Sequence, residues 1–266
     1  MSGAFKGDVI VSGVIVSGAS RGLGAALARR FAAPGVTLGL LARSEAGLRE
    51  TAAACEAQGA TVRIAALDVR DAAAVAAAVL GWDAAAPTAL VVANAGIAAG
   101  RRPDGTREGV AEVAAQVSVN LLGAVNLVGP LLPAMRARRA GRIGLVASVA
   151  AFHGLPDSPG YCASKAGLWA WGQAIRADLR GSGAGVTLIA PGFFESDMGR
   201  AWQGGRPFSL STDQAAARIE RALRAGRASC AFPLPLVLAM RALGLLPAPL
   251  ADRAVRLLRF RIAQQR

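Results

Sequence analysis

The sequence predicts an α/β protein built on a single doubly wound parallel sheet, layered α/β/α. Three observations carry that prediction. Short β-branched or apolar runs alternate with longer alanine-rich stretches from Val9 to Ala190, those runs show no in/out alternation, and the first of them leads into a glycine-rich turn. Strands buried on both faces read as continuous apolar runs, and helix-length spacers between them suit right-handed crossovers. A length of 266 residues, 53% of them hydrophobic, with 32 glycines, can fill one core and excludes a disordered or fibrous chain.

The predicted strands are 9–16, 36–42, 61–67, 88–93, 142–148 and 185–190, and a helix begins near Ala25 after the first. Beyond Pro191-Gly192 the character changes: 193–209 is aromatic and glycine-rich, and Ser211-Thr212-Asp213 has the form of a helix cap for a segment ending near Ala225. Residues 231–251 are apolar except for Arg241 and are broken by Pro233, Pro235, Pro247 and Pro249. Only 11 residues separate Pro235 from Pro247, against roughly 20 for a bilayer span. From 250 to 266, Ala251, Ala254, Val255, Leu258 and Ile262 interleave with Arg253, Arg256, Arg259 and Arg261, as in a basic amphipathic helix. The expected division is a main domain over 1–230, with 231–266 as an apolar and basic helical extension of it.

Positive charge is carried almost wholly by arginine, since Lys6 and Lys165 are the only lysines; the net charge is +13. Residues 1–132 hold 11 basic and 10 acidic side chains and 133–266 hold 19 and 7. Such asymmetry marks an anionic partner surface or an arginine-rich codon bias. No nucleic acid partner is expected, because no recognition motif or aromatic interleaving accompanies the arginines. Cys55, Cys162 and Cys230 are far apart and without ligand spacing, so neither disulfides nor a metal site is expected. With no secretory signal pattern, the reading is cytoplasmic.

Ser17-Gly18-Ala19-Ser20-Arg21-Gly22-Leu23-Gly24 stands between the first strand and its helix. Unpaired backbone N–H groups and the positive end of the helix favour an anion there, and glycine clears side chains from its approach. At the end of the second strand lies Ala42-Arg43-Ser44, with no carboxylate at the tip for a ribose diol. Arg21 and Arg43 suit bidentate recognition of a 2′-phosphate, which favours NADP(H).

Tyr161, the only tyrosine, precedes Lys165 by one helical turn, so both occupy one face. A cation about 5 Å away at an effective dielectric of about 20 favours phenolate by roughly 3 kcal/mol, which draws the phenol toward general acid/base use. Ser148, at the end of the fifth strand, can donate to an oxygen that gains charge.

These residues resemble the short-chain dehydrogenase/reductase family, of the classical type, over nearly all of 8–195 and in the right order. The resemblance implies a Rossmann-type fold and an NAD(P)-dependent oxidoreductase. The Gly18–Gly24 loop resembles its cofactor loop, with Gly18, Ser20, Arg21, Gly22, Leu23 and Gly24 as contacts. Asp68-Val69 resembles the adenine contact, Asn94-Ala95-Gly96 the strand-stabilising motif, and Pro191-Gly192 the nicotinamide-side turn, with Ser196 in place of the usual threonine. Asn120, Ser148, Tyr161 and Lys165 match its catalytic tetrad. By that resemblance Tyr161 moves the proton, Ser148 polarises the oxygen, Lys165 holds the nicotinamide ribose and lowers the tyrosine pKa, and Asn120 links Lys165 to water. The implied reaction is hydride transfer between nicotinamide and a carbonyl or alcohol carbon; the alternative is an idle NADP(H)-sensing protein on the same fold. A homodimer or homotetramer is expected.

His153 is expected on a loop or pocket wall, Cys162 as inert packing, and Trp169 and Trp171 in the core or at a subunit interface. Phe193, Phe194, Trp202 and Phe208 fall where the family closes over substrate and suggest an apolar carbonyl or alcohol as the small-molecule partner. The 231–266 extension is read either as a peripheral membrane contact or as packing on its own or a partner subunit.

Overall fold

The computed structural model describes residues 13–196, 199, 202–256 and 261–262. Residues 9–12 of the first expected strand, and Leu258 and Arg259 of the expected C-terminal helix, lie outside the described residues.

Six predicted strands are present as β1 (Gly13–Ser17), β2 (Thr37–Ala42), β3 (Thr61–Ala66), β4 (Thr88–Ala93), β5 (Gly141–Val146) and β6 (Ala184–Pro191). They pair in parallel in the order β3-β2-β1-β4-β5-β6, and β8 (Ser229–Phe232) extends the sheet beside β6. The order reverses at β1, so a crevice opens beyond the carboxyl ends of β1 and β4. Alternate side chains of one strand feed opposite layers, which explains why the sequence shows no polar face. Val14 and Val16 pack with Leu27, Phe31 and Ile219, while Ile15 between them joins Val79, Leu127 and Leu168 on the other side.

One layer holds α1 (Gly22–Phe31), α2 (Glu45–Glu56) and α8 (Thr212–Arg224), the last capped by Ser211, whose hydroxyl accepts from the Gln214 N–H. The other holds α3 (Ala72–Ala85), the composite helix α4 (Val110–Val117), α5 (Gly123–Val128) and α6 (Leu132–Ala137), and α7 (Pro159–Asp178). The 110–137 stretch is long and apolar enough to cross a membrane by length and composition. Here it lies on the sheet, with Leu127, Leu131 and Met135 fully buried.

Three expectations are corrected. Helix α1 starts at Gly22, not near Ala25, since the Ala25 N–H already donates to the Arg21 carbonyl at 3.3 Å. The division placed at 230/231 falls inside β8, whose Cys230 and Ala231 pair with Ile189 and Ala190, so the extension is continuous with the sheet. Among the described residues, the amphipathic helix expected over 250–266 runs only to Val255. α9 (Leu234–Leu243) and α10 (Ala248–Val255) are short, each with Pro at its N-cap, and Arg261–Ile262 is a strand, β9, antiparallel to β7 (Trp202–Gln203).

Candidate active site

A cleft of about 890 Å³ runs across the carboxyl ends of the strands. At one end Gly18 (φ 65°), in the turn after β1, and Gly22 (φ 56°), the first residue of α1, take left-handed backbone, a conformation that favours glycine. A Cβ on Gly24 would stand 2.1 Å from the Gly18 carbonyl oxygen, so this close approach of helix to strand also needs glycine. The Asn94 side-chain amide donates to the carbonyls of Ser17 (3.0 Å) and Gly18 (3.3 Å). In return the Ser17 hydroxyl accepts from the Asn94 and Ala95 N–H groups, both at 3.1 Å. The end of β4 therefore braces the turn. Helix α1 has no side-chain cap, and Gly22 and Leu23 in its first turn line the cleft, so its leading N–H groups and dipole serve an anion.

Ser20, Arg21, Arg43 and Ser44 line the same end. Ser44 caps α2 by accepting from the Gly47 N–H at 3.2 Å. Glu45, the first acid after β2, is bound to Arg49, and Glu50 shares the rim from the second turn of α2. Asp68 also lines the cleft; the Arg70 guanidinium and N–H hold its carboxyl below the usual carboxylate range, with a smaller contribution from Arg43. Val69 is fixed by its carbonyl, which accepts from Asn126 at 2.9 Å.

Midway along the cleft, Ser148, Tyr161 and Lys165 meet. Helix α7 begins with Pro159, and the Glu108 carboxylate accepts from its Gly160 N–H at 2.5 Å, anchoring the turn that carries Tyr161. Lys165, 3% exposed, donates to the Val146 carbonyl at 2.8 Å and lies 5.8 Å from the centre of the Tyr161 ring. Asn120 sits in a π-helical turn, Ser118–Leu122, inside the composite helix. Its amide is fully engaged: Oδ1 accepts from Ile97 N–H, and Nδ2 donates to the Ile97 carbonyl and the Ser164 hydroxyl. Gly96 faces both groups, since a Cβ there would lie 3.2 Å from Asn120 Oδ1 and 3.4 Å from Lys165 Nζ.

The expected lowering of the tyrosine pKa is not what this geometry gives. Burial pushes the Tyr161 phenol up to about 12, partly offset by a hydrogen bond with Ser148, and burial pulls Lys165 down to about 8. Desolvation disfavours both charged forms, and for Tyr161 it exceeds the help of the Ser148 hydrogen bond.

On the far side Pro191 and Gly192 line the cleft; the Gly192 N–H donates to the Phe232 carbonyl at 2.7 Å, tying the turn to β8. The Ser196 hydroxyl accepts from Gly199 N–H at 2.9 Å. Phe193, Phe194 and Trp202 line the cavity, the first and last in edge contact at 5.0 Å. Phe208 points away, 58% exposed. His153 is half-buried and outside the lining, whereas Cys162 is within it, buried, its thiol pushed up to about 11. Trp169 packs edge-on to Phe152 at 4.9 Å.

Sequence reasoning missed Leu155, Leu236, Met240 and Ile262, which complete the apolar wall. Ile262 is placed by pairing with Trp202 and by its N–H, which donates to the Arg101 carbonyl at 2.8 Å. No local signal announces it, because a two-residue strand has no periodicity.

The family model of the short chain dehydrogenases matches residues 12–206. A protein described as an uncharacterized oxidoreductase from Myxococcus xanthus (strain DK1622) is 36% identical over 246 residues, 92% of this chain and 96% of that protein. The 3-dehydrosphinganine reductase TSC10A of Arabidopsis thaliana is 31% identical over 233 residues, 82% of this chain and 70% of its own. The crystal structure of a metagenomic short-chain oxidoreductase in complex with NADP aligns with a TM-score of 0.69 at 30% identity, covering 80% of this chain and 90% of that one. The matched segment carries the glycine turn, Ser148, Tyr161 and Lys165, and the chain belongs to the short chain dehydrogenase family.

Proposed function

We propose that the protein is an NADPH-dependent reductase or dehydrogenase acting on the carbonyl or alcohol group of an apolar small molecule. The observation that carries this reading is the meeting of Ser148, Tyr161 and Lys165 in one cleft whose opposite end is an uncapped glycine turn. The residues fit a dinucleotide: the Gly18–Gly24 cradle would hold the pyrophosphate, Arg21, Arg43 and Ser44 the 2′-phosphate, and Asp68-Val69 the adenine. Asn94-Ala95-Gly96, Pro191, Gly192 and Ser196 would border the nicotinamide half. Support for NADP(H) over NAD(H) is the pair of arginines that line this end of the cleft, Arg21 before α1 and Arg43 at the tip of β2, together with the NADP held by the metagenomic relative.

Bound there, the cofactor supplies or accepts the hydride. Tyr161 exchanges the proton with the substrate oxygen, and Ser148 donates to that oxygen as its charge grows. Lys165, buried and drawn down to about 8, would hold the ribose. Asn120, its side chain fully bonded, fixes the turn beside Lys165 that leads to solvent. The apolar wall of Leu155, Phe193, Phe194 and Trp202 would exclude water and select an apolar substrate.

Two buried free thiols, Cys55 and Cys162, support a reducing, cytoplasmic setting. We further propose a homodimer or homotetramer, with Leu122, 50% exposed on the composite helix, as one contact. The deciding experiment follows NADPH oxidation across ketones, aldehydes, quinones and long-chain keto-lipids; a well-folded protein that binds NADPH yet turns over nothing in that panel would replace the enzyme by a sensor.

A further inference from the structure

We propose that the outer face of α9 and α10 is a docking surface for an anionic lipid membrane. Leu234, Leu238, Leu245, Leu246 and Leu250 are exposed, from 43% to 87%, although they are large and apolar. They are five of the nine exposed large hydrophobics among the described residues, concentrated in seventeen consecutive positions. Between them the only charged residue is Arg241, and Pro235, Ala239, Ala242, Pro247, Ala248 and Pro249 are exposed as well. A contiguous apolar patch of this kind marks an interaction surface rather than ordinary surface scatter.

The charge around the patch selects its occupant. Among the described residues of 233–256, three arginines, Arg241, Arg253 and Arg256, stand against one acid, Asp252. Arg241 is held at the rim with its guanidinium 4.6 Å from the centre of the Phe152 ring, and Arg253 and Arg256 are exposed on α10. A second copy would bring these arginines against their equals with a single carboxylate to answer them. Anionic headgroups answer all of them, while acyl chains receive the leucines. Helix α9 has 10 residues, about 15 Å at 1.5 Å per residue, so it lies in the interface and does not cross it.

The same helix connects this surface to the cleft. Leu234 and Leu238 face outward, whereas Leu236 and Met240 line the cavity. A protein docked by this face sets the apolar wall of its site next to the bilayer, so an apolar substrate passes from lipid to cleft around α9. That last step rests on the reading of the site given above; the docking itself does not.

The test is flotation of the full-length protein, with NADPH present, on phosphatidylcholine vesicles with and without phosphatidylglycerol. The double variant Leu238→Glu/Leu245→Glu is run in parallel, along with light scattering, thermal melting and turnover of a short water-soluble ketone. Expected is flotation that requires phosphatidylglycerol and falls on the order of tenfold or more in the double variant, with melting and turnover of the soluble ketone unchanged. Three results would overturn the proposal: absence of flotation with either vesicle, equal flotation of the double variant, or a variant that differs only in dissociating an oligomer. Loss of turnover in the wild type with flotation intact would sink the enzymatic reading and leave the docking surface standing.

Discussion

Lys165 donates to the Val146 carbonyl from a site where burial lowers its pKa from 10.5 to about 8. Between those values the unfolded chain holds more protons than the folded one, so stability rises with pH from about 8 and the gain is lost as pH falls through 8. The slope is at most about 1.4 kcal/mol per pH unit. Above pH 10 the raised Tyr161 pKa opposes it, because the unfolded phenol then ionises first. The buried thiols of Cys55 and Cys162, pushed up to about 11, also oppose it from about pH 9, so the test is a difference: between pH 7.5 and 9.5 the urea midpoint of the wild type should rise relative to that of Lys165→Met, and a difference that does not change contradicts this account. Tyr161→Phe should cut turnover by roughly 10² to 10⁴ or more while leaving NADPH binding, read by fluorescence, intact. That Tyr161 and Lys165 share a helix face was legible from their spacing; their roles came from the family resemblance. Their protonation balance was not legible, because desolvation depends on residues from β5, the composite helix and the Leu155 turn that no local window contains.

The turn between β1 and α1 is the element where backbone shape and binding coincide. Gly24→Ala would force its methyl against the Gly18 carbonyl at a cost of about 1 to 3 kcal/mol. The expected result is a lower melting temperature together with weaker NADPH binding; an unchanged melt would show that the turn relaxes freely. At the tip of β2, Arg43→Ala should raise the Kd for NADPH about tenfold to a hundredfold, as for loss of charge-assisted bonds of about 1.5 to 3 kcal/mol, with the NADH value unmoved. An equal loss for both cofactors would assign Arg43 to structure. Six strands and the capped helix α8 were readable because each is long enough to show a pattern. β8 was not, since Ser229–Phe232 merges into an apolar run, and the helix expected over 250–266 was drawn too long, since α10 ends at Val255 and Arg261–Ile262 pairs as a strand.

Across the whole molecule the two halves of the cleft have different origins. The proposed nucleotide half comes from the stretch Gly18 to Ser196, and its motifs were visible in order. The apolar half is gathered from Leu155, Trp202, Leu236, Met240 and Ile262, and its assembly is a tertiary matter that spacing does not encode. Ile262→Ser removes a side chain that is 6% exposed and worth about 1.5 to 3 kcal/mol in burial. It should raise KM for a long apolar ketone about tenfold, with the NADPH Kd and the KM of a small ketone little changed. Equal effects on both ketones would mean that β9 supports the fold and not the substrate.

The pairing of Ile262 with Trp202 also sets an order in time. During synthesis every residue of the nucleotide half leaves the ribosome before the strand that completes the apolar wall. In the proposed reading the chain is therefore committed to its cofactor cradle before it has the last strand of its substrate wall.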